Sequence, residues 1–408
     1  MLPEATALEF YHVWPLCRRY ENRGLILKSS GPFPLPRQLP DPAAYASIES
    51  SDLAGMLEPS RYLNRTTAFA DIVSATEGHY WDPADPRYLD FGRPFDCDEQ
   101  LLMPAAFTTE LNCAVIDKLD AHQRIRFGNE LTRFHLSQIL HGEQGAMSLS
   151  ANLCLVFRDP GTQEYAANQA REEARHVHAL TSYFAARWGD PLPVGGGLLG
   201  LMNKLVLTGE IYQKIVGMQM LIEGLALGAF AAIHNATQDP LLQRLVRFIL
   251  TDESYHHRFG KIWGEMAIPG LTEEQHRQIE NWAAGCFITV YQNLNNLEQK
   301  SLVYERFGLN ARWVAAAIRE ASGQPEMRAA IEKHTLMYRV LARTLQQCGI
   351  ITERTRPLYN AYFNLDSVSD DPDDLIGAGI ADQTIVELRE IREEIRGGRS
   401  KVVAPGKT

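Results

Sequence analysis

Three features of the 408-residue sequence predict an all-α fold. From about Ala121 onward, apolar residues recur at helical spacing with few breakers, and the β-branched alternation that marks strands is scarce. The interruptions have helix-boundary chemistry: Asp159-Pro160 and Asp239-Pro240 each offer an Asp N-cap followed by Pro at the first helical position. Finally, the chain repeats one set of residues at an interval of 80, as a duplicated helical hairpin would.

Taken in order, residues 1–118 read as an irregular, partly helical extension. Prolines cluster at 31–42 and again at 81–88, with short helical patterns between, such as 61–77. Residues 119–270 read as a four-helix core, interrupted at 189–200 (GDPLPVGGGLLG) by a Pro/Gly connector. Further helices, from about Thr272 and from about 310, occupy 271–366 and are expected to pack on that core. Residues 367–408 form a polar, partly flexible tail that includes one charged, solvated helix (VELREIREEIRGG).

Composition narrows the function. Forty basic against fifty acidic residues give a formal charge of −10, which disfavours nucleic acid as a partner. The six cysteines are scattered without a CxxC pair, so neither a disulfide framework nor a thiolate zinc site is indicated, and a cytoplasmic location fits. The first twenty residues lack the basic-then-apolar order of a signal peptide. Ile215 to Ile233 is long enough to span a membrane, but Glu223 near its middle would be costly in lipid. A buried core helix is expected there, with no membrane span.

The repeat carries the chemistry. Shifted by 80, Glu143 falls on Glu223, Glu173 on Glu253, His176 on His256, and Asp159-Pro160 on Asp239-Pro240. In each half a helix bears a Glu, reverses at Asp-Pro and returns bearing Glu-x-x-His. Glu143 lies about 24 Å before its turn and Glu173 about 20 Å after it, at 1.5 Å per residue, so the two acids meet at one height. The i, i+3 offset sets Glu173 with His176, and Glu253 with His256, on one helix face. Four carboxylates and two imidazoles then converge between four helices. Without cations that charge would be severely destabilising, whereas two divalent metals turn it into coordination. Oxygen donors with one imidazole per metal suit iron or manganese.

These residues resemble the ferritin-like di-iron carboxylate proteins, which supply a Glu from each of two helices and Glu-x-x-His from each of the other two. The segment EEARHVHAL (172–180) resembles the motif of the oxygen-activating branch, which includes multicomponent monooxygenase hydroxylase subunits and soluble acyl-carrier desaturases. The resemblance covers about 140–260. It implies a ferritin-like four-helix bundle over 119–270. One metal would be held by Glu143, Glu173 and His176, and the other by Glu223, Glu253 and His256, with Glu173 and Glu253 bridging as the catalytic carboxylates. Glu172 and Asp252 would accept the imidazoles' outer N–H groups, with Arg175 holding such an acid in place. The second motif, DESYHH, departs from the pattern in having Tyr255 where a second Arg is usual.

The cofactor expected is two Fe ions, with Mn/Fe as the variant, and dioxygen as co-substrate. The function expected is a monooxygenase acting on a small organic or carrier-bound substrate, with arylamine N-oxygenation or desaturation open on the same site. No flavin or ferredoxin region is apparent, so a separate ferredoxin or reductase would deliver electrons; a homodimer is left open. From another class, an iron store or a ribonucleotide-reductase-like radical subunit competes. Other residues weigh toward ordinary roles: His135, His141 and His178 as polar-face or core histidines, and Tyr165, Tyr212 and Tyr255 as packing aromatics. Register alternatives pair Glu172 with His176, or Glu253 with His257, at i, i+4. The GxGxxG match at 195–200 lacks a preceding strand and reads as a flexible crossover.

Overall fold

A computed structural model describes residues 53–294, 296–324, 338–362, 364–368 and 377–402, and among these no β-strand occurs. The proline cluster at 31–42 and the end of the tail lie outside the described residues. The expected helix at 61–77 is two helices, Pro59–Leu63 and α1 (Ala70–His79). The chain breaks between them because the Thr66 amide donates to Asp159 Oδ1 at 2.7 Å instead of joining a helix.

The core helices follow in sequence. Helix α2 (Ala121–Val156) starts at a capping box in which Asp120 Oδ1 accepts from the Gln123 amide and Gln123 Oε1 from the Asp120 amide. It reverses into α3 (Pro160–Arg187), where Asp159 caps the Thr162 amide at 2.6 Å. The crossover then carries α4 (Gly196–Leu207), followed by α5 (Ile211–Ala236). Asp239 caps α6 (Pro240–Ala267) through the Leu241 amide at 2.9 Å. Both predicted Asp-Pro caps are therefore present. Asp239 also accepts from Tyr183 and Arg187 in the last turns of α3, which pins the end of α3 to the α5–α6 turn. Consequently α3 runs parallel to α5, and α2 and α6 run the other way.

Helix α5 is long and apolar enough to cross a membrane by length and composition, but 72% of its most apolar window is buried inside the protein. Its middle, Ile215–Ile222, is wound as a π-helix ending immediately before Glu223. The glycine-rich connector is shorter than expected, since α4 already begins at Gly196. Its glycines serve packing: a Cβ on Gly197 would collide with the Asn293 side chain. Helix α7 (Glu273–Leu294) carries Asn293 and packs against both α4 and α5. Helix α8 (Ala311–Ala321) packs against the short 3-10 turns at 109–118 and 297–300, and the segment 338–347, α9, buries Tyr338, Leu341 and Leu345 in the apolar core. Helix α10 (Ala378–Val402) is not solvated on all sides. It packs along α6 and buries Ala381, Leu388 and Ile391.

Two apolar clusters join all four long helices, one toward Leu149, Tyr165, Met218 and Phe259, the other toward Leu140, Leu180, Leu227 and Phe248, while Phe127, Leu131 and Phe134 of α2 join a third. Between the first two, at Glu143, Glu173, His176, Glu223, Glu253 and His256, the same helices turn charged groups inward. A polar layer thus sits between two greasy ones and is itself almost wholly buried.

Candidate metal centre

All six predicted side chains reach this layer. Glu143, Glu173, His176 and Glu253 bring one donor atom each within 4.8 Å of one another, and Glu173, Glu223, Glu253 and His256 do the same. Glu143 is 5% exposed, Glu223 3%, and the other four are fully enclosed. Glu173 and Glu253 belong to both groups because each carboxylate faces both imidazoles. Glu173 sets Oε2 3.4 Å from His176 Nδ1 and Oε1 3.0 Å from His256 Nδ1. Glu253 sets Oε1 3.1 Å from His176 Nδ1 and Oε2 3.0 Å from His256 Nδ1. Glu143 Oε2 lies 3.0 Å from His176 Nδ1. Glu223 completes the second group.

Both imidazoles point Nδ1 at the shared space and Nε2 outward. The outward nitrogens meet the predicted outer acids, but crosswise: His176 Nε2 is 2.9 Å from Asp252, and His256 Nε2 is 2.9 Å from Glu172. Each hairpin's acid therefore orients the other hairpin's histidine. Arg175 Nη2 donates to Asp252 Oδ2 at 2.6 Å, as its place in the motif implies. The i, i+3 register is the one adopted, since Glu172 serves His256 and His257 turns away to the Thr344 hydroxyl at 2.8 Å. His141 bonds the Leu192 carbonyl, and His135 and His178 are exposed, so none of the three joins the layer. Tyr165 stacks on Phe259 in the core.

The sequence motifs do not announce four further participants. His79, at the end of α1, places Nε2 3.2 Å from Asp252 Oδ1 and 3.7 Å from Glu172 Oε1. Tyr255 stacks on that imidazole at 4.7 Å. Where DESYHH lacks a second Arg, a histidine from outside the core helices thus faces the two outer acids. Trp81 donates Nε1 to Asp252 Oδ2 at 2.9 Å and lies parallel to His176. Gln169 and Gln219 lie one turn before Glu173 and Glu223; Gln169 Nε2 donates to both of those acids. The i−4 spacing is a signal that could have found the glutamines, whereas nothing in the motifs points to residue 79 or 81.

Electrostatics shows what the layer requires. Burial, and then Glu253, push the carboxyls of Glu143 and Glu223 well above the usual range. Burial works to lower the histidines, yet the carboxylates around them drive both His176 and His256 well upward. Glu173 and Glu253 stay ionised against burial, Glu253 held down chiefly by His256. Without cations the carboxyls of Glu143 and Glu223 and both imidazoles are thus pushed toward their protonated forms, on the very atoms that face one another. Glu173 Oε2 and Glu253 Oε1 remain without a hydrogen bond. Oxygen donors in excess, one imidazole nitrogen per group and unsatisfied carboxylate oxygens fit a pair of divalent cations.

Compared with protein-family models, curated proteins and solved structures, the chain finds no match.

Proposed function

We propose that this chain is a non-haem di-iron oxidoreductase that activates dioxygen to hydroxylate or otherwise oxygenate a small organic or carrier-bound substrate. The observation that supports it is the convergence of two Glu and two Glu-x-x-His sets on one buried layer, each bridging acid facing both imidazoles. On this reading residues 119–270 form a ferritin-like bundle.

Glu143, Glu173 and His176 would hold one iron, and Glu223, Glu253 and His256 the other. Bound iron would supply the electrons that reduce dioxygen and the oxidising power that reaches the substrate. The chain's own contribution is placement. Asp252 and Glu172 fix the imidazole tautomer with Nδ1 inward, because each accepts from Nε2. Arg175 and His79 hold those acids in turn. The apolar clusters above and below exclude water from the reacting space. Electrons would arrive from a separate ferredoxin or reductase.

The test is metal analysis after anaerobic reconstitution, followed by oxygen consumption with a chemical reductant. About two irons per chain are expected, and Glu173→Ala or His256→Ala should abolish tight loading. Normal loading of those variants would show the ligand assignment to be wrong. Two bound irons without oxygen consumption above that of free iron would remove the oxygenase reading and leave the metal site standing.

A further inference from the structure

The two ends of the centre are not equivalent. Gln169 Nε2 donates to Glu173 Oε1 at 3.1 Å and to Glu223 Oε1 at 2.9 Å, and Gln169 Oε1 accepts from Gln219 Nε2 at 2.9 Å. Both glutamines are fully buried. The outer amide fixes the inner one: with its carbonyl engaged by Gln219, Gln169 can present only its NH2 to the carboxylates. Both of the oxygens it holds lie at the His256 end, since Glu173 Oε1 is the atom facing His256 Nδ1.

The other end has no counterpart. Under the 80-residue shift, Gln169 falls on Ile249 and Gln219 on Ile139. Among the described residues, Glu143 meets His176 and no amide. Gln219 Oε1 is a buried carbonyl left without a donor, so the amide pair persists although one of its own atoms is unsatisfied.

We infer that the Gln169–Gln219 pair pre-forms the Glu223/His256 end, so that the first divalent cation enters there and the Glu143/His176 end fills second and more weakly. The inference rests on the metal-centre reading above. Outer hydrogen bonds of this kind are worth about 10–100-fold in metal affinity.

Manganese(II) added anaerobically to the metal-free full chain, followed by calorimetry and by the electron paramagnetic resonance of the free ion, tests it. Two classes of site separated by about tenfold or more are expected. Glu143→Ala should keep the tight class and Glu223→Ala should lose it. Gln169→Met should weaken the tight class about 10–100-fold and leave the weak one in place. If circular dichroism shows that Gln169→Met does not fold, Gln219→Met, one hydrogen bond further out, reads the same class in the same direction. Two equal sites in the unaltered chain, or a tight class indifferent to both glutamines, overturn the inference alone. No uptake by the unaltered chain overturns it together with the reading beneath it.

Discussion

Asp252 is the most heavily engaged acid of the outer network, and Asp252→Asn tests whether that network holds the centre. Its Oδ2 receives Arg175 Nη2 at 2.6 Å, Trp81 Nε1 at 2.9 Å and His176 Nε2 at 2.9 Å, while Oδ1 faces His79 Nε2 at 3.2 Å. An asparagine has one oxygen for these donors. If it takes the Oδ2 position, its NH2 points at His79, which must then turn neutral or move. The buried Arg175 then keeps a neutral oxygen and the Trp81 ring, but its only remaining ion-pair carboxylate among the described residues is Glu172 at 3.7 Å. Removing one partner of a buried charge pair costs about 3–5 kcal/mol, and removing an outer acid lowers metal affinity about 10–100-fold. Urea unfolding of the metal-free chain reads the first number and manganese(II) calorimetry the second. The double variant Asp252→Asn, Arg175→Met should cost less than the two single changes summed, because no uncompensated guanidinium remains. A stability loss under about 0.5 kcal/mol, with unchanged metal uptake, would refute the role given to this network.

Three other outcomes follow from the same structure. Metal affinity should fall as pH is lowered: Glu143, Glu223, His176 and His256 carry raised pKa values, so the entering cation must expel protons, which calorimetry in buffers of different ionisation enthalpy counts. Burial alone would raise the Glu110 carboxyl, but the Lys300 ammonium at 2.8 Å and the Tyr304 hydroxyl bring it down to about 2. That depressed value contributes about 3 kcal/mol, present above the ordinary carboxylate range and lost as pH falls through about 2. Lys300→Met should remove this acid-dependent slope in urea unfolding and destabilise the chain at neutral pH by about 3–5 kcal/mol. Gly161→Ala places a Cβ against the Thr66 carbonyl beside the Asp159 cap and should cost about 1–3 kcal/mol by thermal unfolding.

The parts of the site legible in the sequence are those set by local geometry. The Asp-Pro caps depend on two adjacent residues, and the inward faces of Glu173 with His176 and Glu253 with His256 depend on an i, i+3 offset, so spacing alone placed them. The crosswise pairing of Glu172 and Asp252 was not legible, because it depends on how one hairpin lies against the other. Gln169 and Gln219 could be read one turn before their glutamates, but glutamine carries no motif of its own. Helix α4 opposes intrinsic propensity: its glycines suggest a break, and close packing against α7 overrides them. The π-wound stretch of α5 differs in hydrogen bonding and not in composition, so periodicity passes over it.

The contact between Trp81 and Asp252 closes a span of 171 residues. A contact this remote in sequence bears a larger chain-closure entropy than the pairings within each Asp-Pro hairpin, which favours its forming after them. The order this predicts is that the helices carrying the acids assemble before the segment bearing His79 and Trp81 docks. Refolding monitored at once by helix signal and by cation uptake should show the second lagging the first.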